Sequence, residues 1–135
     1  MSCLNLPELA FDEWGDILLE PLQGGRYPLA GEIELTDRCN LSCAHCYINE
    51  PAGCAQEGLN ELSTSQVKDI LDQIAAAGCL DLLLTGGEPL LRSDFPEIYL
   101  HARRKGILIM LFTNGTMLTP AIIDILKEAP PPWWK

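Results

Sequence analysis

Residues 63–88 read STSQVKDILDQIAAAGCLDLLLTGGE, and the fold follows from this stretch. Ser63 followed by Gln66 fits a capping box, in which each side chain bonds the other's backbone N–H at the start of a helix. Val67, Ile70, Leu71 and Ile74 then recur at i, i+3, i+4 and i+7, the spacing of one apolar helical face. Gly78 stands where a left-handed residue closes a helix. LDLLLT, from Leu80 to Thr85, is short, apolar and followed by two glycines, which reads as a buried strand.

The same order returns downstream. Asp94 and Glu97 suggest a second capping box, with a helix running to about Lys105 and stopped by Gly106. ILIMLFT (Ile107 to Thr113) reads as another buried strand, and Asn114-Gly115 as a turn. Thr119 caps a third helix with Pro120 at its first position, where a missing N–H costs nothing. Ala129 and three prolines end it. Upstream, EIELT (Glu32 to Thr36) alternates polar and apolar as a short strand does, and the polar residues 48–61 read as loop. Strands alternating with helices predict an α/β fold, a parallel sheet covered by helices, built here of three βα units. Right-handed crossovers bring three segments to one sheet edge: the cysteine loop after the first strand, GGEP after the second and TNGT after the third. Sites in α/β folds assemble at that edge.

Residues 1–30 read as a leader segment and residues 31–135 as the core. Within the leader, LPELAFDEWGDILLEPL predicts a short amphipathic helix with Leu9, Trp14, Ile17 and Leu18 near one face, broken by Pro21 and Gly24-Gly25. The start of the chain has neither a basic region nor a continuous apolar stretch, so it does not read as a signal peptide. No apolar run approaches the ~20 residues that span a bilayer. A cytoplasmic location is the expectation, where thiols stay reduced.

The chain has 135 residues, 47% of them hydrophobic, and a net charge of −10. Eleven acidic but only two basic residues lie up to Glu61, whereas the remainder is nearly balanced. An acidic chain with no basic stripe argues against nucleic-acid binding. The acidic half reads as a solvated surface.

Three of the six cysteines fall within CNLSCAHCY, at Cys39, Cys43 and Cys46. In a reducing compartment they point to metal or reactive chemistry rather than disulfides. Thiolates suit zinc, copper(I) or iron–sulfur clusters. Structural zinc wants four protein ligands, and there is no second Cys-x-x-Cys knuckle; His45 or Cys54 would have to supply the fourth. A [4Fe–4S] cluster on three cysteines would keep one iron open for something exogenous. Cys3 and Cys79 read as bystanders.

CNLSCAHC resembles the Cys-x-x-x-Cys-x-x-Cys signature of radical S-adenosylmethionine (SAM) enzymes. LTGGEPLL (84–91) looks like the GGEP motif of that family, and FTNGT (112–116) is similar to the segment that ends its third strand. IELTDRCNLSCAHCY resembles the peptide-modifying subgroup that carries a C-terminal SPASM extension. The resemblance spans about residues 26–135, with three motifs in order on matching βα positions. It implies that Cys39, Cys43 and Cys46 ligate a [4Fe–4S] cluster whose fourth iron chelates SAM. An electron from the cluster would cleave SAM to a 5′-deoxyadenosyl radical that abstracts hydrogen from substrate. It further implies SAM contacts from Gly86, Gly87, Glu88 and Pro89, with the Glu88 carboxylate meeting an ammonium group. His45 stands where the family usually has an aromatic residue beside adenine, Tyr47 adds to that pocket, and Asn114 is a further candidate that also suits a plain turn.

A reductant protein such as flavodoxin or ferredoxin and a peptide substrate follow as expected partners. The family's core is a partial (β/α)6 barrel, and three units make its N-terminal half. The resemblance therefore implies a fragment, inactive alone without the second half of the barrel. The alternatives are a non-catalytic iron–sulfur or SAM-binding module, a half-barrel that needs a partner chain, and a zinc-binding domain.

Overall fold

The computed structural model describes residues 25–46 and 61–131. The predicted leader helix, Tyr47, Cys54 and Trp133-Trp134 lie outside the described residues. The elements in chain order are β1 (Ala30–Glu34), α1 (Thr64–Ala76), β2 (Asp81–Thr85), a 3-10 turn (Pro89–Leu91), α2 (Phe95–Arg104), β3 (Leu108–Leu111) and α3 (Pro120–Glu128). The strands form one parallel sheet in the order β1-β2-β3, with Glu32 opposite Leu83 and Leu83 opposite Met110. This is the predicted α/β architecture of three βα units.

The local signals act largely as their chemistry requires. At α1, Ser63 accepts from the Gln66 N–H while the Gln66 side chain accepts from the Ser63 N–H. Val67 and Leu71 are buried on its apolar face, and Ile74 packs beside them. Gly78, with φ at 95°, and Gly106, with φ at 84°, turn the chain after α1 and α2, a backbone region costly for residues with a Cβ. Thr119 caps α3 by accepting from the Ile122 N–H, with Pro120 following.

Three expectations change. β1 begins and ends two residues before the predicted EIELT strand. Asp94 stands at the N-cap of α2 but makes no capping bond, so the second capping box does not form. Its carboxylate instead accepts from Arg92 and from the Thr64 hydroxyl, because a guanidinium and a hydroxyl reach it first. The third strand is shorter than ILIMLFT and buried on one face only. Ile107 and Ile109 are fully buried, whereas Leu108, Met110 and Phe112 are exposed. Alternate residues of a strand point to opposite faces, and the helices cover a single face of this sheet.

The core lies between that covered face and the three helices. Leu82, Leu84 and Ile109 from the sheet meet Leu71, Phe95 and Ile98 from the helices. Phe95 and Tyr99 stack with ring centroids 5.7 Å apart. The Tyr99 hydroxyl donates to the Ala129 carbonyl and so fastens α2 to the end of α3. Burial pushes its phenol pKa up. On the surface Asp72 of α1 accepts from His101 of α2 at 2.6 Å and from Lys105 at 2.9 Å. Among the described residues no helix is long and apolar enough to cross a membrane.

Candidate functional site

The three predicted loops meet at the C-terminal edge of the sheet, and backbone hydrogen bonds bring them together. The ladder continues past β1, with the Leu35 N–H donating to the Thr85 carbonyl at 2.8 Å. Beyond it, the Gly87 N–H donates to Thr36 O at 2.7 Å and the Glu88 N–H to Arg38 O at 2.8 Å. The turn after β2 therefore lies against the backbone that leads into Cys39. A Cβ on Gly86 would stand 2.3 Å from Thr36 O, and one on Gly87 2.3 Å from Arg38 O. Gly86 also has φ at 129°. The glycines are required by the approach of two stretches of this chain, a nearer cause than the ligand approach read from the sequence.

Glu88, read from the sequence as a carboxylate for an ammonium group, is fully buried. Its Oε1 accepts from the Leu90 N–H at 2.9 Å and from the Thr113 hydroxyl at 2.8 Å. Its Oε2 accepts from the Asn114 N–H at 2.7 Å. Glu88 thus ties GGEP to TNGT, the second loop to the third. Pro89, also buried, opens the 3-10 turn that Glu88 caps.

The third loop reaches back to the first. The Asn114 amide donates to Asn40 Oδ1 at 2.9 Å and lies 3.9 Å from Cys39 Sγ, while Asn40 donates to Thr116 Oγ1 at 2.8 Å. Asn114 Oδ1 accepts from the Thr116 N–H at 2.9 Å, so the residue makes its own turn as well as the bridge. Gly115 supplies the left-handed position, with φ at 76°.

Cys39 is half-buried, and Cys43 and Cys46 are exposed; none is in a disulfide. A turn joins the last two, with the Cys46 N–H donating to Cys43 O at 3.2 Å, and His45 lies exposed within it. The Leu41 N–H is 3.4 Å from Cys39 Sγ. Among the described residues no three acidic, histidine or cysteine side chains converge on a single metal point. The donor set itself fits a thiolate-bound metal: three free thiols on one loop, one of them with N–H donors aimed at its sulfur. Cys79, by contrast, is buried in the core, its thiol pKa pushed up by burial.

A cavity of about 330 Å³ opens beside this assembly, lined by Thr85, Gly86, Gly87, Leu111, Phe112, Thr113 and Asn114. Its mixture of backbone, hydroxyl, amide and apolar groups suits a small amphipathic ligand.

Several residues that hold the site escaped the motif reading. Arg38 forks onto Glu61, with Nε to Oε1 at 2.7 Å and an Nη to Oε2 at 3.1 Å, and the Thr36 hydroxyl joins the same carboxylate. Burial raises the Glu61 pKa, but the bonds from Arg38 and Thr36 outweigh it and hold the carboxyl below its ordinary value. Arg92 is only 6% exposed and donates to Leu35 O and Leu62 O, each at 2.9 Å. Its hydrogen bonds to Asp94 pull that carboxyl down to about 2. One sequence signal was available: Arg38, one of two basic residues up to Glu61, sits directly before the first cysteine of the loop.

Comparison with known proteins gives concordant findings. Residues 33–134 match the radical SAM superfamily. The chain is 42% identical over 96 residues to an AdoMet-dependent heme synthase of Methanosarcina barkeri, covering 71% of this chain and 27% of that one. It is 36% identical over 102 residues to a PqqA peptide cyclase of Xanthomonas oryzae, covering 76% and 27%. Among solved structures, Streptococcus suis SuiB bound to its precursor peptide SuiA superposes with a TM-score of 0.68 at 19% identity, covering 97% of this chain and 30% of SuiB. The chain thus spans about a quarter of the length of these curated relatives.

Proposed function

The chain belongs to the radical SAM superfamily, and on that premise we propose that Cys39, Cys43 and Cys46 hold a [4Fe–4S] cluster beside a SAM site. The observation that carries this reading is the convergence of the three loops: the backbone leading into the three thiols is bonded to GGEP, Asn40 of the thiol loop to TNGT, and GGEP and TNGT together line one cavity. When bound, the cluster and SAM supply a reductively generated 5′-deoxyadenosyl radical for hydrogen abstraction.

The residues of this chain then position and enclose. Gly86 and Gly87 present backbone at the cavity wall, and Thr113 and Asn114 line it as well. Glu88 and Pro89 act from below the surface, by setting the shape of that wall. His45, exposed in the turn between two cysteines, and Tyr47 are the proposed neighbours of adenine. A flavodoxin or ferredoxin would deliver electrons, and a reducing cytoplasm would keep the thiols free.

For the substrate class we propose a peptide or protein, the reading that the named peptide cyclase and SuiB support. The heme synthase relative, with higher identity, favours a second reading in which a tetrapyrrole is the substrate. Over a quarter of such a relative's length, the role proposed for this chain is cluster and SAM binding. Turnover would then require the remainder of a barrel, in the same protein or in a partner chain.

Anaerobic reconstitution with iron and sulfide tests the site. The expected product is brown and oxygen-labile, with about four irons per chain, and Cys43→Ala does not retain them. A protein that takes up zinc and no iron would overturn the assignment. Formation of 5′-deoxyadenosine on adding SAM and a reductant separates a cleaving site from a module that only binds. Its stimulation by a peptide or by a porphyrin separates the two substrate readings.

A further inference from the structure

We infer that the Arg38–Glu61 pair is a clasp that closes the base of the cysteine loop and positions its ligands, an inference that rests on the cluster-binding reading above. Arg38 lies four residues beyond the end of β1 at Glu34, and Glu61 three residues before α1 begins at Thr64. Residues 39–60 lie between, and all three motif cysteines are among them. The two ends are joined by a forked ion pair, and the Thr36 hydroxyl adds a third donor to the same carboxylate.

A second arginine underlies the first. Arg92 donates to the carbonyl of Leu35 on the outgoing arm and to that of Leu62 on the returning arm, and Asp94 fixes its guanidinium at 2.9 and 2.7 Å. The two layers differ in exposure. Arg92 is 6% exposed, whereas the side chains of Arg38 and Glu61 are 34% and 19% exposed. The inner arginine joins the arms to the body of the fold. The outer pair, nearer solvent, adds little to global stability. Its effect falls on the backbone beside it, where Arg38 leads directly into Cys39.

The clasp is also continuous with the site. Arg38 precedes Cys39 across one rigid peptide, and its carbonyl accepts the Glu88 N–H. A forked guanidinium–carboxylate contact has one preferred plane, so it restricts the direction in which the chain enters Cys39. Arg38 and Glu61 are positioning residues on this account: they touch no ligand and act through the loop. Preorganised ligands hold a metal more tightly than ligands that must be ordered on binding.

The test uses the full chain with Glu61→Gln, which removes the charge and one acceptor of the fork, and Arg38→Lys, which keeps the charge but loses the fork. Without metal, the alkylation rate of Cys39 relative to exposed Cys43 is followed by peptide mass spectrometry. Glu61→Gln should raise that ratio about fivefold, as losing about 1 kcal/mol of local closure implies. After reconstitution, a chelator should extract iron about fivefold faster from Glu61→Gln, with Arg38→Lys intermediate. Melting temperature should change by no more than a few degrees.

An unchanged alkylation ratio in both variants would overturn the clasp. So would a ratio that rises only in proportion to a large loss of melting temperature, which would make the pair an ordinary element of the fold. If Glu61→Gln does not fold, Arg38→Lys decides by the same measurements. Failure of the wild type to hold iron would refute the cluster reading, while the metal-free alkylation arm still judges the clasp.

Discussion

Replacing Glu88 by glutamine should unlatch the third loop from the second, at a cost that can be worked from the three bonds its carboxylate makes. Oε1 accepts two donors and Oε2 one, and the side chain is fully buried. A glutamine amide offers one acceptor oxygen and one donor group. With its oxygen in the Oε1 place, the NH2 faces the Asn114 N–H. With the oxygen in the Oε2 place, the NH2 faces the Leu90 N–H, while the Thr113 hydroxyl can rotate to accept. Either way a backbone donor, that of Asn114 at a part-buried contact or that of Leu90 at a buried one, meets another donor. Losing a charged hydrogen bond costs about 1.5–3 kcal/mol and orphaning a donor about 1–3 kcal/mol. Relief from burying a carboxylate offsets part of that, leaving about 2–3 kcal/mol.

For a chain of this size that loss is a fall in melting temperature on the order of 10 °C. Circular dichroism melts and urea midpoints at unchanged m-value would measure it. Hydrogen exchange at the Asn114 amide should quicken, since its acceptor is the group removed. Thr113→Val is the control: it deletes the donor to Oε1, which Leu90 still satisfies, and the acceptor of the exposed Gly115 N–H, which water can replace, and it should cost about 1 kcal/mol. The reasoning fails if Glu88→Gln melts within about 2 °C of the wild type. It fails equally if Thr113→Val costs as much as Glu88→Gln.

Three further outcomes are expected. Gly87→Ala would set a Cβ 2.3 Å from the Arg38 carbonyl oxygen, a backbone atom that cannot swing aside. It should destabilise by about 3 kcal/mol or more, visible as a lower urea midpoint and weaker iron retention. Asp94 has its pKa held down to about 2 from an ordinary 3.8 by Arg92. Its contribution is present above the unfolded value and lost as pH falls from about 4 to 2, and is at most about 2 kcal/mol. The stability gap between wild type and Asp94→Asn should therefore shrink across that window, and a constant gap would contradict the pairing. Ile109→Ala on the covered face should cost about 2–4 kcal/mol. Phe112→Ser, at 57% exposure on the open face, should stay within about 1 kcal/mol, and equal losses at the two sites would refute the one-sided burial of β3.

What could be read from the sequence was local. The Ser63 capping box, Thr119 before Pro120, and the glycines after α1 and α2 are contacts within a few residues, so residue type and spacing suffice to predict them. Asp94 marks the limit: the same local signal was present, but Arg92 and Thr64, the latter 30 residues away, took its carboxylate. Burial of β3 failed for a related reason. An apolar run shows that a strand can be covered on both faces, and only the arrangement of the helices shows that one face is left open.

The sequence by itself determined the order of strands and helices, the edge on which three loops would gather and the three thiols that one of them carries. Periodicity, caps and turn residues are properties of neighbours along the chain. The tertiary structure decided how those loops are held. Glu88 reaches Thr113 across 25 residues, Arg38 reaches Glu61 across 23, and Arg92 reaches Leu35 across 57. Nothing in a single charge reveals its partner at such separations. The crossovers that stack β1, β2 and β3 place these groups within hydrogen-bond reach, and burial then makes each of them find one.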